Sequence, residues 1–593
     1  MRPDYQDYMH YLTVTAAYSP KRIPGKTQVT FLTKITGLPQ LWTLNERRQP
    51  VPYVETIDRV LYYAHSPLGD RTVIGMDHKG NEKQQIYLYQ AGDAEAKPLA
   101  ISPDSFHYIG GWSPDGRSIC FSSNRRHPGS FDLFTLHTDT GALQTIYNSD
   151  QFCLPVSWYD EDQILIRIDE TNLNVTFYLL NVNTKEKRRI GTVSARYQSV
   201  TFHPDHNVGY VLTDAGADNL RLCRFDASHP EQLQTTYNWG KWDLEKITCS
   251  PDGKQIAFTV NEDGRSLLGL YDLSTAKSRL VTGMPEGIID SLAWLDQEAL
   301  ILGLKSATIA GDIWRYDLTD RKATRLTSIS QSSTIGSFLI EPELNRYQSF
   351  DHLSIPYFYY EQQPSAQKPA VIYVHGGPES QYKPDFHPMI QYLAKQGFAV
   401  AAPNVRGSNG YGRAYLELDD QRKRMDSVRD LAWLVKDLIK NHQVDPKRIG
   451  IIGRSYGGFM VMSAITEYPE LWAAAVDVVG ITHFTSMLSQ TGEWRRAQRS
   501  CEYGHLESDQ DFFEEVAPIN HVAKIKSPLL IFHGLNDSRV PVSESINLEK
   551  EMKKYGKSVQ LTLFEDEGHQ TEKLNNHITM RGEAIRFFME QLK

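Results

Sequence analysis

Two patterns of hydrophobic and polar positions divide the chain. From about residue 340 onward, short apolar runs alternate with longer helical periods. Val371-Ile372-Tyr373-Val374, Ile449-Gly450-Ile451-Ile452 and Ser527-Pro528-Leu529-Leu530-Ile531-Phe532 read as strands buried on both faces, as in a sheet covered by helices. Val559 to Phe564 alternates as a strand, Phe459 to Ala464 reads as a helix start, and Met580 to Leu592 reads as a helix. From roughly 25 to 335 the long helical periods vanish and short alternating strands recur with a period of about 40–45 residues. One mark of the repeat is a turn: Trp112-Ser113-Pro114-Asp115-Gly116, Pro204-Asp205 and Ser250-Pro251-Asp252-Gly253, with weaker copies at Trp158-Tyr159-Asp160 and Trp294-Leu295-Asp296. The other is an aromatic strand: Leu41-Trp42, Ile86-Tyr87-Leu88, Leu133-Phe134, Phe177-Tyr178-Leu179, Leu270-Tyr271 and Ile313-Trp314. Such a period, with four short strands per unit, predicts a β-propeller of about seven blades, a count that the degenerate copies leave open by one. At 593 residues the chain is too long for a single core, and two domains are expected in any case.

The second half carries candidate chemistry. Gly453-Arg454-Ser455-Tyr456-Gly457 lies between an apolar strand and a helix start, the strand, G-x-S-x-G, helix order of a nucleophile elbow. The turn must be sharp enough to lift the Ser455 hydroxyl above the sheet, and side chains two residues to either side would collide with it, so both positions are glycine. In an α/β-hydrolase an acid and then a histidine follow the serine in chain order. Asp537 stands just past the Ser527–Phe532 run and His569 in the loop after the Val559–Phe564 strand, with Asp566 as the rival acid. A histidine accepts the serine proton, and a buried carboxylate fixes its tautomer. Among 19 histidines, His521 and His533 flank the acid's strand and read as turn residues. Acyl transfer also needs N–H donors for the tetrahedral oxyanion. The backbone N–H of Tyr456 is one, and the loop His375-Gly376-Gly377-Pro378 after an early strand is placed to supply another.

These segments together resemble the prolyl oligopeptidase family of serine peptidases, in its acylaminoacyl-peptidase-like branch. The resemblance also rests on Asn404 to Gly412, Pro518-Ile519-Asn520-His521-Val522 and His533-Gly534-Leu535-Asn536-Asp537-Ser538-Arg539-Val540-Pro541. It implies that Gly377 donates the second oxyanion N–H, since His375 stands where other branches use a tyrosine. It implies that Arg539 contacts a substrate carbonyl. It further implies a propeller that caps the active site and admits short peptides, with the N-terminal stretch packing on the hydrolase domain. The expected domains are therefore 1–24, an N-terminal segment on the hydrolase domain; 25–335, the propeller; and 336–593, the α/β-hydrolase domain. Phe484 and Trp494, between the elbow and the acid's strand, are the candidates for a substrate side-chain pocket. Dipeptidyl-peptidase relatives hold the free amino terminus with paired glutamates in the propeller, whereas Glu514-Glu515 falls in the hydrolase half.

Composition narrows the rest. A net charge of −9 argues against a nucleic-acid partner. Five dispersed cysteines show no C-x-x-C spacing, and neither a metal motif nor a nucleotide-binding glycine loop is present, so no metal or cofactor is expected. Met1-Arg2-Pro3-Asp4-Tyr5-Gln6 lacks an apolar leader core, and no run of about 18 apolar residues occurs, so a cytoplasmic protein with no membrane partner is expected. The expected substrate is a short peptide or small acyl compound, with a homo-oligomer left open. Two other readings use the same residues: an esterase or amidase for a non-peptide compound, and a propeller scaffold with an inert hydrolase domain.

Overall fold

A computed structural model describes residues 5–330, 335 and 338–593; residues 1–4 of the expected N-terminal segment and the expected boundary at 336 lie outside them. Seven four-stranded antiparallel sheets follow one another from Ala17 to Arg325, each built from four consecutive strands, and form the blades of a seven-bladed propeller. The repeat marks fall at equivalent places. Trp112 and Trp294 end the first strands of the third and seventh blades, and each indole N–H donates to the first strand of the preceding blade, to Ala64 O at 2.9 Å and Thr248 O at 3.0 Å. The Ser-Pro-Asp-Gly turns join first to second strands; Gly116 and Gly253 both sit at φ 69° and close the turn onto Ser113 O and Ser250 O at 2.9 Å. Every aromatic mark lies on the third strand of its blade. The fifth blade, whose third strand reads Arg221-Leu222-Cys223-Arg224-Phe225-Asp226, is the one without that mark.

The first strand of the first blade, Ala17–Arg22, begins ahead of the expected start at 25. Among the described residues no strand is exchanged between the first and seventh blades. The ring closes by packing Phe31 and Trp42 against Ile301 and Ile313, with one backbone bond from Ala17 N–H to Gly311 O at 2.9 Å.

The C-terminal domain is an eight-stranded sheet in the order Glu343–Gln348, Ser354–Tyr360, Ala399–Pro403, Lys368–Val374, Val444–Arg454, Ala474–Val478, Leu529–Gly534, Val559–Phe564. The first two strands join antiparallel and the last six run parallel, which places their C-terminal ends along one edge. Helices Arg424–His442, Tyr456–Glu467 and Ser543–Lys554 bury one face of this sheet. Helices Pro388–Lys395 and Leu574–Leu592 bury the other, together with the N-terminal helix Tyr5–Leu12. In that helix Tyr8 and Tyr11 meet Tyr392 edge-on at 5.8 and 5.7 Å, and Asp7 pairs with Lys395 at 2.9 Å. The last helix starts at Leu574 rather than near Met580. Among the described residues no helix is long and apolar enough to cross a membrane.

Candidate active site

Ser455 joins strand Val444–Arg454 to helix Tyr456–Glu467 with φ 58° and ψ −120°, a sparsely populated backbone state held by the elements on either side. Its N–H donates to Val478 O at 2.9 Å. The glycines around it are required sterically. A Cβ at Gly453 would stand 2.2 Å from Gly457 O, and one at Gly457 would stand 2.4 Å from Val374 O.

Asp537 and His569 lie in the loops after the two neighbouring strands, Leu529–Gly534 and Val559–Phe564. The His569 Nδ1–H donates to Asp537 Oδ2 at 2.7 Å, which leaves Nε2 as the basic nitrogen. The other carboxylate oxygen, Oδ1, accepts the N–H groups of Arg539 at 2.8 Å and Val540 at 2.9 Å. His533 lies 3.4 Å from Asp537 Oδ2 and is anchored by Ser545 Oγ at 2.7 Å and Val540 O at 3.0 Å. Burial would raise the Asp537 pKa, but the His569 charge and the histidine hydrogen bonds outweigh it, so the carboxyl is held well below its ordinary range. Burial pushes His569 down to about 4 against the pull of Asp537. Asp566 is turned elsewhere: it pairs with Lys573 and accepts from Asn576 Nδ2 at 2.9 Å.

Loop His375–Pro378 backs onto the elbow. A Cβ at Gly376 would come within 2.8 Å of Arg454 O, and Gly377, at φ 132°, would press one to 2.7 Å from the N–H groups of Glu379 and Ser380. His375 is buried against Ser408 Oγ at 2.8 Å. Tyr456 opens the elbow helix, and its ring is buried with the hydroxyl between Arg424 and Asp419, 3.0 Å from each.

The propeller closes over these loops. The turn Lys79 to Glu82, between the second and third strands of the second blade, abuts both the acid and the histidine loops: Asn536 Nδ2 donates to Lys79 O at 3.2 Å, and a Cβ at Gly568 would overlap Gly80 O at 2.0 Å. Glu82 binds Arg539 through Nε at 2.9 Å and Nη2 at 2.5 Å, and accepts from Ser538 Oγ at 2.5 Å. Among the described residues this leaves Nη1 of Arg539 without an acceptor. Arg539 and Trp494 both line a cavity of about 390 Å³ between the domains, with Glu82, Phe106 and Tyr108 across from them. Trp494 stacks on Phe152 at 4.5 Å and meets Phe131 edge-on at 5.6 Å. Phe484 is fully buried, stacked on Tyr503 at 4.8 Å and tilted against Phe459 at 4.7 Å, and it is not among the residues lining this cavity. A second bridge links the domains: Asn172 Nδ2 of the fourth blade donates to the carboxylate of Glu379, whose two oxygens both accept from Arg499 Nη1 at 2.7 Å.

The sequence did not single out Glu82, because its partner lies 457 positions away. Its φ of 60° is the one local peculiarity, and that marks a turn, not a partner. Asp419, Asp420 and Glu502 are spaced to hold a cation, but Arg424 already occupies their centre, 2.7 Å from Asp419 and bonded to Glu502.

Residues 384–593 match the model of the prolyl oligopeptidase family. Dipeptidyl peptidase family member 6 of Caenorhabditis elegans is 20% identical over 91% of this chain and 79% of its own length. The acylamino-acid-releasing enzyme of Rattus norvegicus is 29% identical over 34% of this chain, a match spanning 29% of that enzyme. A solved prolyl endopeptidase structure superposes with a TM-score of 0.86 at 18% identity, covering 100% of this chain and 92% of that one.

Proposed function

Residues 384–593 make this chain a member of the prolyl oligopeptidase family of serine peptidases, and on that premise we propose that it hydrolyses short peptides through an acyl-enzyme formed on Ser455. The observation that carries the reading is the 2.7 Å contact between His569 Nδ1 and Asp537, at the C-terminal ends of strands two and three places along the sheet from the strand that leads into the strained Ser455 turn. Ser455 Oγ adds to the scissile carbonyl carbon as its proton passes to His569 Nε2. The N–H groups of Gly377 and Tyr456 hold the oxyanion. Collapse breaks the C–N bond, and the amine leaves with the proton from His569. A water then adds to the acyl ester by the same route, and the acid and the free serine are regenerated. Asp537 keeps His569 in the required tautomer throughout.

Arg539 is assigned to a substrate carbonyl through Nη1, with Glu82 holding the rest of the guanidinium in place. Trp494 forms an apolar wall of the same cavity. Access is assigned to the propeller, because the Lys79–Glu82 turn rests on the loops that carry Asp537 and His569. A fluorophosphonate probe tests the core of this reading. Covalent labelling at Ser455, lost in Ser455→Ala, is the expected result; no labelling of a folded preparation overturns it. A panel of N-blocked, free-amino and internal-proline peptides, run beside simple esters, sorts the end-group preference and tests the esterase reading.

A further inference from the structure

We propose that Arg454 and Arg581 form a binding site for a small monovalent anion, set apart from the peptide cleft between the sheet and the C-terminal helix. Arg454 ends strand Val444–Arg454, one residue before Ser455, and Arg581 comes from helix Leu574–Leu592. Both line a cavity of about 50 Å³ whose other walls are largely apolar, Val478 and Phe532 among them. Arg581 also faces a neighbouring cavity of about 400 Å³, where the N-terminal segment and the first blade meet the hydrolase domain.

Charge makes this more than a gap in packing. Nε and Nη2 of Arg454 are shut off from solvent and meet no acceptor among the described residues. Neither guanidinium has an ion-pair partner among those residues; for Arg454, with two nitrogens shut off, an uncompensated charge is strongly unfavourable, while Arg581 is half-buried and also opens onto the larger cavity. The carboxylates whose fields reach them are already engaged: Glu572 by Lys34 and Arg59, Asp385 by Lys305 at 3.0 Å, and Asp537 by His569 at 2.7 Å. Burial lowers the Arg581 pKa to about 10, so it stays charged at neutral pH. His387 and His577 stand beside Arg581; burial first, then its charge, holds both well below the ordinary histidine range, so neither adds a proton. Burial raises Tyr373, which lines the same cavity and so brings an O–H donor without charge. The result is two cations and neutral donors around a space several times what one water needs. That fits a halide or a single carboxylate, which a guanidinium binds well, and excludes bulky sulfonates.

The test is thermal unfolding of the full chain at fixed pH and ionic strength, with sodium chloride or sodium formate replacing the salt of a bulky sulfonate. The expected result is a saturating rise in Tm on the order of a few degrees with chloride or formate, absent in Arg581→Met. The anion that saturates at the lower concentration identifies the source, an inorganic halide or a carboxylate. Identical curves for all three salts, or an undiminished rise in the variant, overturn the proposal. Chloride-35 NMR reads the unmodified protein should Arg581→Met fail to fold. Excess line broadening removed by formate supports the site; a linewidth no greater than that of a control protein of similar size sinks it.

Discussion

The Glu82–Arg539 pair makes the most specific demand on the proposed mechanism. If Glu82 fixes the guanidinium so that Nη1 can reach a substrate carbonyl, then Glu82→Gln and Arg539→Met damage the same interaction, and the double variant should lose little more than either alone. The size of the effect follows from the geometry. Hydrogen bonds to a charged partner contribute about 1.5–3 kcal/mol. The side chains are 16% and 35% exposed, Glu82 and Arg539 respectively, so solvent screening removes part of this. About 1–2 kcal/mol is left, roughly 5- to 30-fold in kcat/KM. The assay is a double-mutant cycle on kcat/KM for a short fluorogenic peptide, with unfolding followed in parallel because the pair also joins the two domains. Each single substitution should fall within that range, with a coupling energy above about 1 kcal/mol. If the two effects simply multiply, or if both variants lose several degrees of Tm at unchanged kcat/KM, the pair is an interdomain clamp and Arg539 is not a substrate ligand.

Other outcomes follow from the same site. Ser455→Ala should reduce turnover on the order of a million-fold, measured in a preparation free of wild-type enzyme. Asp537→Asn should cost about 10⁴-fold by releasing the wrong histidine tautomer, while Asp566→Asn, which loses a contact with Lys573, should leave kcat nearly unchanged. His569 must be neutral to act as a base and is held down to about 4, so the acid limb of kcat/KM should lie below pH 6.5; a limb at or above 6.5 contradicts the environment described. The depressed histidines His65, at about 3, and His107 and His569, at about 4, take up protons in the unfolded chain first. Their contribution to stability is therefore present above pH 6.5 and is lost as pH falls toward 4, which a Tm series across that window checks. Short peptides should be cut far faster per bond than intact casein, and equal rates would remove the propeller's gating role.

Much of this architecture is legible in the chain because the relevant constraints are local. A turn that needs glycine at both 453 and 457, and strands buried on both faces, leave marks within a few residues. The propeller is legible for the same reason: one turn and one aromatic strand recur in most blades. What escaped notice depends on distant partners or on weak local preference. Ala17–Arg22 contains Pro20 and gives a poor strand signal, yet it pairs with Val29–Thr33. The last helix begins with Leu574-Asn575-Asn576-His577, mostly poor helix formers, and is fixed by tertiary packing. The position of Phe484 in the chain gives no sign of its aromatic neighbours Phe459, Tyr503 and Phe513, which come from separate helices. Nothing local tells Arg454 or Arg581 from an ordinary solvated arginine.

The docking of helix Tyr5–Leu12 on Pro388–Lys395 and Leu574–Leu592 has a consequence for synthesis of the protein. The seven blades form an unbroken stretch and can be completed while the C-terminal half is still being translated. The first helix cannot settle fully then, because its two partners, Pro388–Lys395 and Leu574–Leu592, are both made after the propeller. At ordinary elongation rates roughly 30–110 s separate the first helix from the last. Until both partners are made, Tyr8, Tyr11 and Leu12, buried in the finished protein, lack the full surface that covers them. The nascent chain thus carries a short sticky segment ahead of the propeller, and the demand for a chaperone should concentrate there and end when helix Leu574–Leu592 is made.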